Sequence, residues 1–262
     1  MLKVCLAAFL ICCFSFSIFA EQKLPLRVAV AANFSKVANV LVEDFNEQTG
    51  LKVSVSSGST GALFAQISHG APFDLFMAAD VSRPLALEQQ GLIVADTRQT
   101  YAVGQLALWD NQIKGEQAIS HNELKNRLSQ SGRLSIANPN TAPYGVAAIQ
   151  VLEALNLSTC LEPSLVKGNS VLHAFQYVET GNVNRGLVAY HLIANKLEAT
   201  LVPQDLYSPL KQQVVVLKSS KQIANALRFQ RFVLSSAVQD MLHEIGYSAN
   251  EAGVYSSVKA GE

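Results

Sequence analysis

The stretch LRVAVAANFSKVANVLVEDFNEQTGLKVSVSSGSTGALFAQI, Leu26 to Ile67, alternates between two periodicities, and that alternation decides the fold class. LRVAVA (26–31) has apolar residues at nearly every position, as in a strand covered on both faces. After Asn33 the period changes: Val37, Leu41 and Phe45 recur at helical spacing until Gly50 stops the run. LKVSVS (51–56) returns to a strand, and Thr60 opens a second helix through Leu63, Phe64 and Ile67, closed by Gly70 with Pro72 beyond it. A strand–helix–strand–helix series of this length is the unit of a parallel α/β sheet, in which right-handed crossovers lay helices over both faces.

The rest of the chain repeats the unit. DLFMAA (74–79) reads as a strand, and ADVSRPLALEQQG as a short helix ending at Gly91. YAVGQLALWD (101–110) carries strand residues, RLSIAN (133–138) is a strand closed by Pro139, and Pro143 starts a helix with Val146, Ile149, Leu152 and Leu155 along one face. Leu172, Phe175 and Val178 share a helical face before Gly181. GLVAYHLI (186–193) and QVVVL (213–217) read as strands, and a long helical region runs through Arg228, Phe232 and Met241. No linker-like segment separates the halves, which argues for two lobes joined by short strands into a clamp. The crossings fall near Tyr101–Gly104 and Leu210–Gln213. The expected architecture is two doubly wound α/β lobes joined by two crossover segments, lobe 1 being 21–103 plus 214–262 and lobe 2 being 104–213.

The first twenty residues, MLKVCLAAFLICCFSFSIFA, read as a secretory signal peptide: Lys3 supplies the positive n-region, an apolar run follows, and Ala20 precedes a polar start at Glu21. Cys12 and Cys13 lack the small preceding residue of a lipid-attachment site, so a soluble, exported protein cleaved near Ala20 is expected. Cys160 is then the only cysteine left, so no internal disulfide is available and the core must carry stability. Charged residues make up 15% of the chain and balance to a formal charge of +0. With no basic block, nothing steers toward nucleic acid or a membrane surface, and a monomer is expected.

Four strand-to-helix junctions share one construction: AANF (31–34), GSTG (58–61), TAPYG (141–145) and GNSV (168–171). All use small or capping residues, and none contains Asp, Glu, Lys, Arg or His. Each alone is an ordinary helix cap. In open α/β sheets, however, ligands bind beyond the carboxyl ends of the strands, where these junctions fall. Helix N-termini there offer free N–H groups and partial positive charge. Glycine admits close backbone approach, and Ser, Thr or Asn adds a side-chain donor. A cage of uncharged donors suits a small oxyanion that is already fully deprotonated.

Together the motifs VAVAANF, VSSGSTGALFAQISHGAPFDLFMAAD, NPNTAPYGVAAIQVL, GNSV, GLVAYHLI and HEIGY resemble the periplasmic molybdate-binding proteins of ABC importers, members of the two-lobed solute-binding superfamily. The resemblance covers nearly all of the chain after the signal segment. It implies a type II periplasmic-binding-protein fold that closes on molybdate, or on tungstate, and delivers it to an ABC transporter membrane permease. It also implies the ligand residues. Asn33 occupies the first loop, with Ala32 lending a backbone donor; Thr60 holds the hydroxyl position, with Ser59 beside it; Tyr144 and Val171 match positions that give backbone N–H groups; and Tyr190 matches a tyrosine whose hydroxyl reaches the anion in some members.

Two other readings stand beside this one. The same clamp could hold another oxyanion such as sulfate, because loop composition does not set cavity size to the sub-ångström level that separates tetrahedral dianions. A secreted hydrolase-type enzyme is the weaker alternative. GxSxG, HExxH, P-loop and GxGxxG patterns are missing, the five histidines are scattered, and His173 and Cys160 lack the partners of a base or a nucleophile. No catalysis, no cofactor and no bare metal cation are expected. Since none of the named donors titrates near neutrality, anion affinity is expected to be flat between about pH 6 and pH 8.

Overall fold

The computed structural model describes residues 24–113 and 119–248; the signal segment 1–20 read from the sequence lies outside the described residues. The first lobe opens with β1 (Leu26–Ala31), α1 (Ser35–Thr49), β2 (Val53–Gly58), α2 (Thr60–Ser68), β3 (Leu75–Ala78), α3 (Ser82–Gln89) and β4 (Gln99–Gly104). The chain then crosses. The second lobe comprises β5 (Leu106–Asp110), α4 (His121–Leu128), β6 (Leu134–Ala137), α5 (Pro143–Ala154), α6 (Ser158–Leu161), β7 (Leu165–Gly168), α7 (Val171–Glu179), β8 (Arg185–Ala189) and β9 (Ala199–Leu201). It returns through β10 (Leu210–Val216) and ends with α8 (Ile223–Val233) and α9 (Ser236–Glu244) against the first lobe.

Each lobe is built on a five-stranded sheet, ordered β2-β1-β3-β10-β4 and β7-β6-β8-β5-β9. The two orders have the same plan. β2, β1 and β3 run parallel, as do β7, β6 and β8, whereas β10 and β5 run antiparallel to both of their neighbours. Three strands of each sheet run parallel as expected, and the reversed strand makes each sheet mixed. In each lobe the reversed strand is the one that has just arrived from the other lobe. Only Gln105 separates β4 of the first sheet from β5 of the second, so the chain changes lobes with almost no connecting segment.

Both faces of the first sheet are covered, which explains the unbroken apolar run of β1. Val28 and Val30 pack with Leu41 and Phe45 of α1 and Phe229 of α8. Ala29 faces the other way, onto Leu63 and Ile67 of α2 and Leu87 of α3. At the end of α1, Gly50 takes φ +69°, a left-handed conformation that closes the helix and suits glycine. The long C-terminal helical region is in fact two helices, broken after Val233. YAVGQLALWD divides between two sheets, and β10 begins at Leu210, ahead of the strand expected from Gln213.

Candidate functional site

The four uncharged junctions meet between the lobes. Ala31, Ala32, Asn33, Ser59, Thr60 and Ala79 from the first lobe, with Ala142, Pro143, Tyr144, Ser170 and Val171 from the second, line one small cavity, with about 10 Å³ open to the centre of a water-sized sphere. That is the space of about one water, far below the ~300–1,000 Å³ pockets of drug-sized ligands. No lining residue carries a charge. Of the residues named from the sequence, Ala32, Asn33, Ser59, Thr60, Tyr144 and Val171 lie on the cavity wall. Tyr190 is not among the lining residues. The strand expected to carry it ends at Ala189, its N–H bonds the carbonyl of Gln105, and its ring lies against Gly246.

Each wall presents donors for a stated reason. Thr60 is the first residue of α2 and is 2% exposed. Its Oγ1 accepts from the Ala79 N–H at 3.2 Å, so the hydroxyl hydrogen remains free to donate. Ser59 caps α2, its Oγ accepting from the Ala62 N–H at 3.3 Å. Ser170, which sequence reasoning left out of the site, caps α7 the same way through the His173 N–H, also at 3.3 Å. The serine in GNSV was its only signal. Thr60, Tyr144 and Val171 stand in the first turns of α2, α5 and α7, where N–H groups have no acceptor inside their own helix. Three helix N-termini therefore aim at one small space. Asn33 sits instead in a single 3-10 turn, Ala32–Phe34, between β1 and α1.

The lobes touch around this cavity, as in a closed clamp. The Gly61 N–H donates to the Thr141 carbonyl at 2.9 Å, and Arg83, paired with Asp80, reaches the Asn140 carbonyl at 3.4 Å. On the opposite side His191 Nε2 donates to the Asn33 carbonyl at 2.8 Å and its ring stacks on Tyr247. Lys36 of α1 lies over the Phe175 ring of α7. His191 is held neutral: burial pushes its pKa down to about 4, Lys36 acts in the same direction, and the bond to Asn33 works against it.

Behind the cavity lies a polar network that the sequence did not disclose. Gln212 of β10 is fully buried. Its Oε1 is 2.8 Å from Asn33 Nδ2 and 3.1 Å from Tyr101 Oη, and its Nε2 is 3.4 Å from Tyr144 Oη. Tyr144 thus offers its N–H side to the cavity while its phenol crosses to the other lobe. It arrives directly over Gly104, where a Cβ would lie 2.2 Å from the Tyr144 oxygen. Burial pushes the Tyr144 and Tyr101 phenols well up, so both stay protonated donors. His173 and Cys160 are exposed, and among the described residues no group of three or more His, Cys, Asp or Glu could hold a metal ion.

Two mixed α/β lobes closing on a small, uncharged, donor-lined cavity define a type II periplasmic-binding-protein clamp. The chain belongs to the bacterial extracellular solute-binding proteins, the family whose profile matches residues 26–248. Among its relatives, the molybdate-binding protein ModA of Azotobacter vinelandii is 38% identical over 254 residues, spanning 94% of this chain and 96% of that one. ModA of Rhodobacter capsulatus is 37% identical over 224 residues, spanning 84% and 86% respectively. The solved structure of the Azotobacter vinelandii periplasmic molybdate-binding protein superposes with a TM-score of 0.79 at 33% identity, over 86% of this chain and 100% of that one. All three are named as molybdate-binding proteins.

Proposed function

We propose that the protein captures molybdate, and tungstate equally by charge and shape, between its lobes in the periplasm and delivers it to the membrane permease of an ABC importer. The observation that carries this reading is the cavity itself: small, closed by both lobes, and walled by donors without a counter-charge. Burying a dianion is costly unless it is fully hydrogen-bonded. Thr60 Oγ1 and the N–H groups of Thr60, Tyr144 and Val171 answer that cost, with Ser59, Ser170 and Asn33 in reach of the remaining oxygens. Because these donors come from both lobes, bound anion stabilises the closed form over the open one. Tyr190 falls outside the donor set proposed here. The likeness to the two ModA proteins supports molybdate over sulfate.

Calorimetric titration with molybdate, tungstate, sulfate and phosphate tests the reading. Tight binding of the first two and weak binding of the others is expected. Sulfate binding as tightly as molybdate would overturn the assignment of cargo, and no oxyanion binding would overturn the clamp.

A further inference from the structure

The Asn33–Gln212 pair contains an inconsistency that points to a role for Gln212. With Asn33 Nδ2 directed at Gln212, the Asn33 Oδ1 is buried with no hydrogen-bond partner among the described residues. Such an orphan costs about tenfold or more in an equilibrium constant. In that orientation the end of Asn33 not held by Gln212 is an acceptor, which an anion cannot satisfy, and Asn33 lines the cavity. The two ends of an amide are nearly equal in shape, so turning both amides over moves no heavy atom position. Turned, Gln212 Nε2 donates to Asn33 Oδ1 across 2.8 Å and to Tyr101 Oη across 3.1 Å, while Gln212 Oε1 accepts from the Tyr144 phenol across 3.4 Å. The end of Asn33 left without a protein partner is then its NH₂, which can donate to an anion in the cavity, whereas a carbonyl oxygen in that place would stay unpaired even in the loaded clamp.

We propose that Gln212 is a positioning residue for oxyanion recognition: in the loaded clamp it donates to Asn33 Oδ1, so that the Asn33 NH₂ faces the anion, and it receives the Tyr144 phenol from the opposite lobe. Gln212 touches no ligand itself. Its contact with Tyr144 forms only when the lobes meet, so donor orientation at Asn33 is tied to closure. The arrangement also rejects a protonated ligand, because the acceptor end of Asn33 is occupied and turned away.

This inference rests on the oxyanion reading above, and a double-mutant cycle separates the two. Molybdate is titrated by calorimetry into the full mature protein and its Gln212→Leu, Asn33→Ala and doubly substituted forms. Gln212→Leu is expected to weaken binding about tenfold in the parent, the scale of one hydrogen bond to an anion, and clearly less in the Asn33→Ala background, where only the contact with Tyr144 is left to lose. A parent protein that binds no molybdate refutes the oxyanion reading and this inference with it. A parent that binds, with equal losses from Gln212→Leu in both backgrounds, refutes the positioning role alone. Should Gln212→Leu fail to fold, side-chain amide NMR of the unmutated protein decides: molybdate must shift the Asn33 NH₂ signal strongly, and an unmoved signal refutes the proposal.

Discussion

Replacing Gly104 by alanine tests closure without touching the cavity. Gly104 ends β4 and has no left-handed backbone angle, so alanine brings no strain of its own. What it brings is a methyl group in space used by the other lobe. The new Cβ would sit 2.2 Å from Tyr144 Oη, 2.8 Å from Gln212 Nε2 and 3.0 Å from Tyr144 Cζ. Tyr144 is 1% exposed and rigid, so the overlap cannot be relieved by a rotamer change at the surface. Overpacking of this kind costs about 1–3 kcal/mol. The closest clash, with Tyr144, is between lobes, so that cost falls on the closed form and hence on anion affinity, about fivefold to more than a hundredfold, while the contact with Gln212 lies within the first lobe. Calorimetry gives the affinity, and thermal unfolding without ligand shows whether each lobe still folds. Adding Tyr144→Phe removes the nearest clashing atom and should recover part of the loss. Undiminished affinity in Gly104→Ala would show that the closed contact between Gly104 and Tyr144 is not needed for binding.

Three further outcomes follow from the same geometry. Thr60→Val keeps the shape but strips a donor from the cavity and leaves the Ala79 N–H unpaired, so both affinity and melting temperature should fall, affinity by about tenfold to a hundredfold; Thr60→Ser should retain most of both. Val171→Ala should change affinity little, since only its N–H faces the ligand in the proposed site, and a large loss would mean that the side chain itself makes the contact. For His191, the folded pKa of about 4 lies below the unfolded value near 6.5. Its stabilisation is therefore complete above ~pH 6.5 and is lost as pH falls toward 4, by up to about 3 kcal/mol. Melting temperature should drop over that window more steeply in the parent than in His191→Gln, and parallel curves would contradict the assignment.

The parts of this protein legible in its sequence are those set locally. The change of period between β1 and α1, and the cap residues Ser59, Thr60 and Pro143, depend on neighbours a few positions away, so the α/β units and the donor loops could be read directly. Long-range pairing could not. Asn33 and Gln212 are 179 positions apart, and nothing local marks a glutamine in an apolar strand as the partner of a ligand loop. Gly104 carries no turn signal, because its smallness is required by Tyr144 and not by its own backbone. The reversal of β5 and β10 depends on where the chain changes lobes, which the unbroken run YAVGQLALWD conceals. His191 looked like one scattered histidine among five, yet it bonds across the cleft to the loop that holds Asn33.

The central claim is that one anion is held by uncharged donors of both lobes at once. Anomalous diffraction at the molybdenum edge, on crystals grown with molybdate, tests it most directly. A single strong peak is predicted inside the cavity between Thr60 and Asn33 on one side and Tyr144 and Val171 on the other. A peak contacting one lobe only, or lying outside that cavity, would contradict the account.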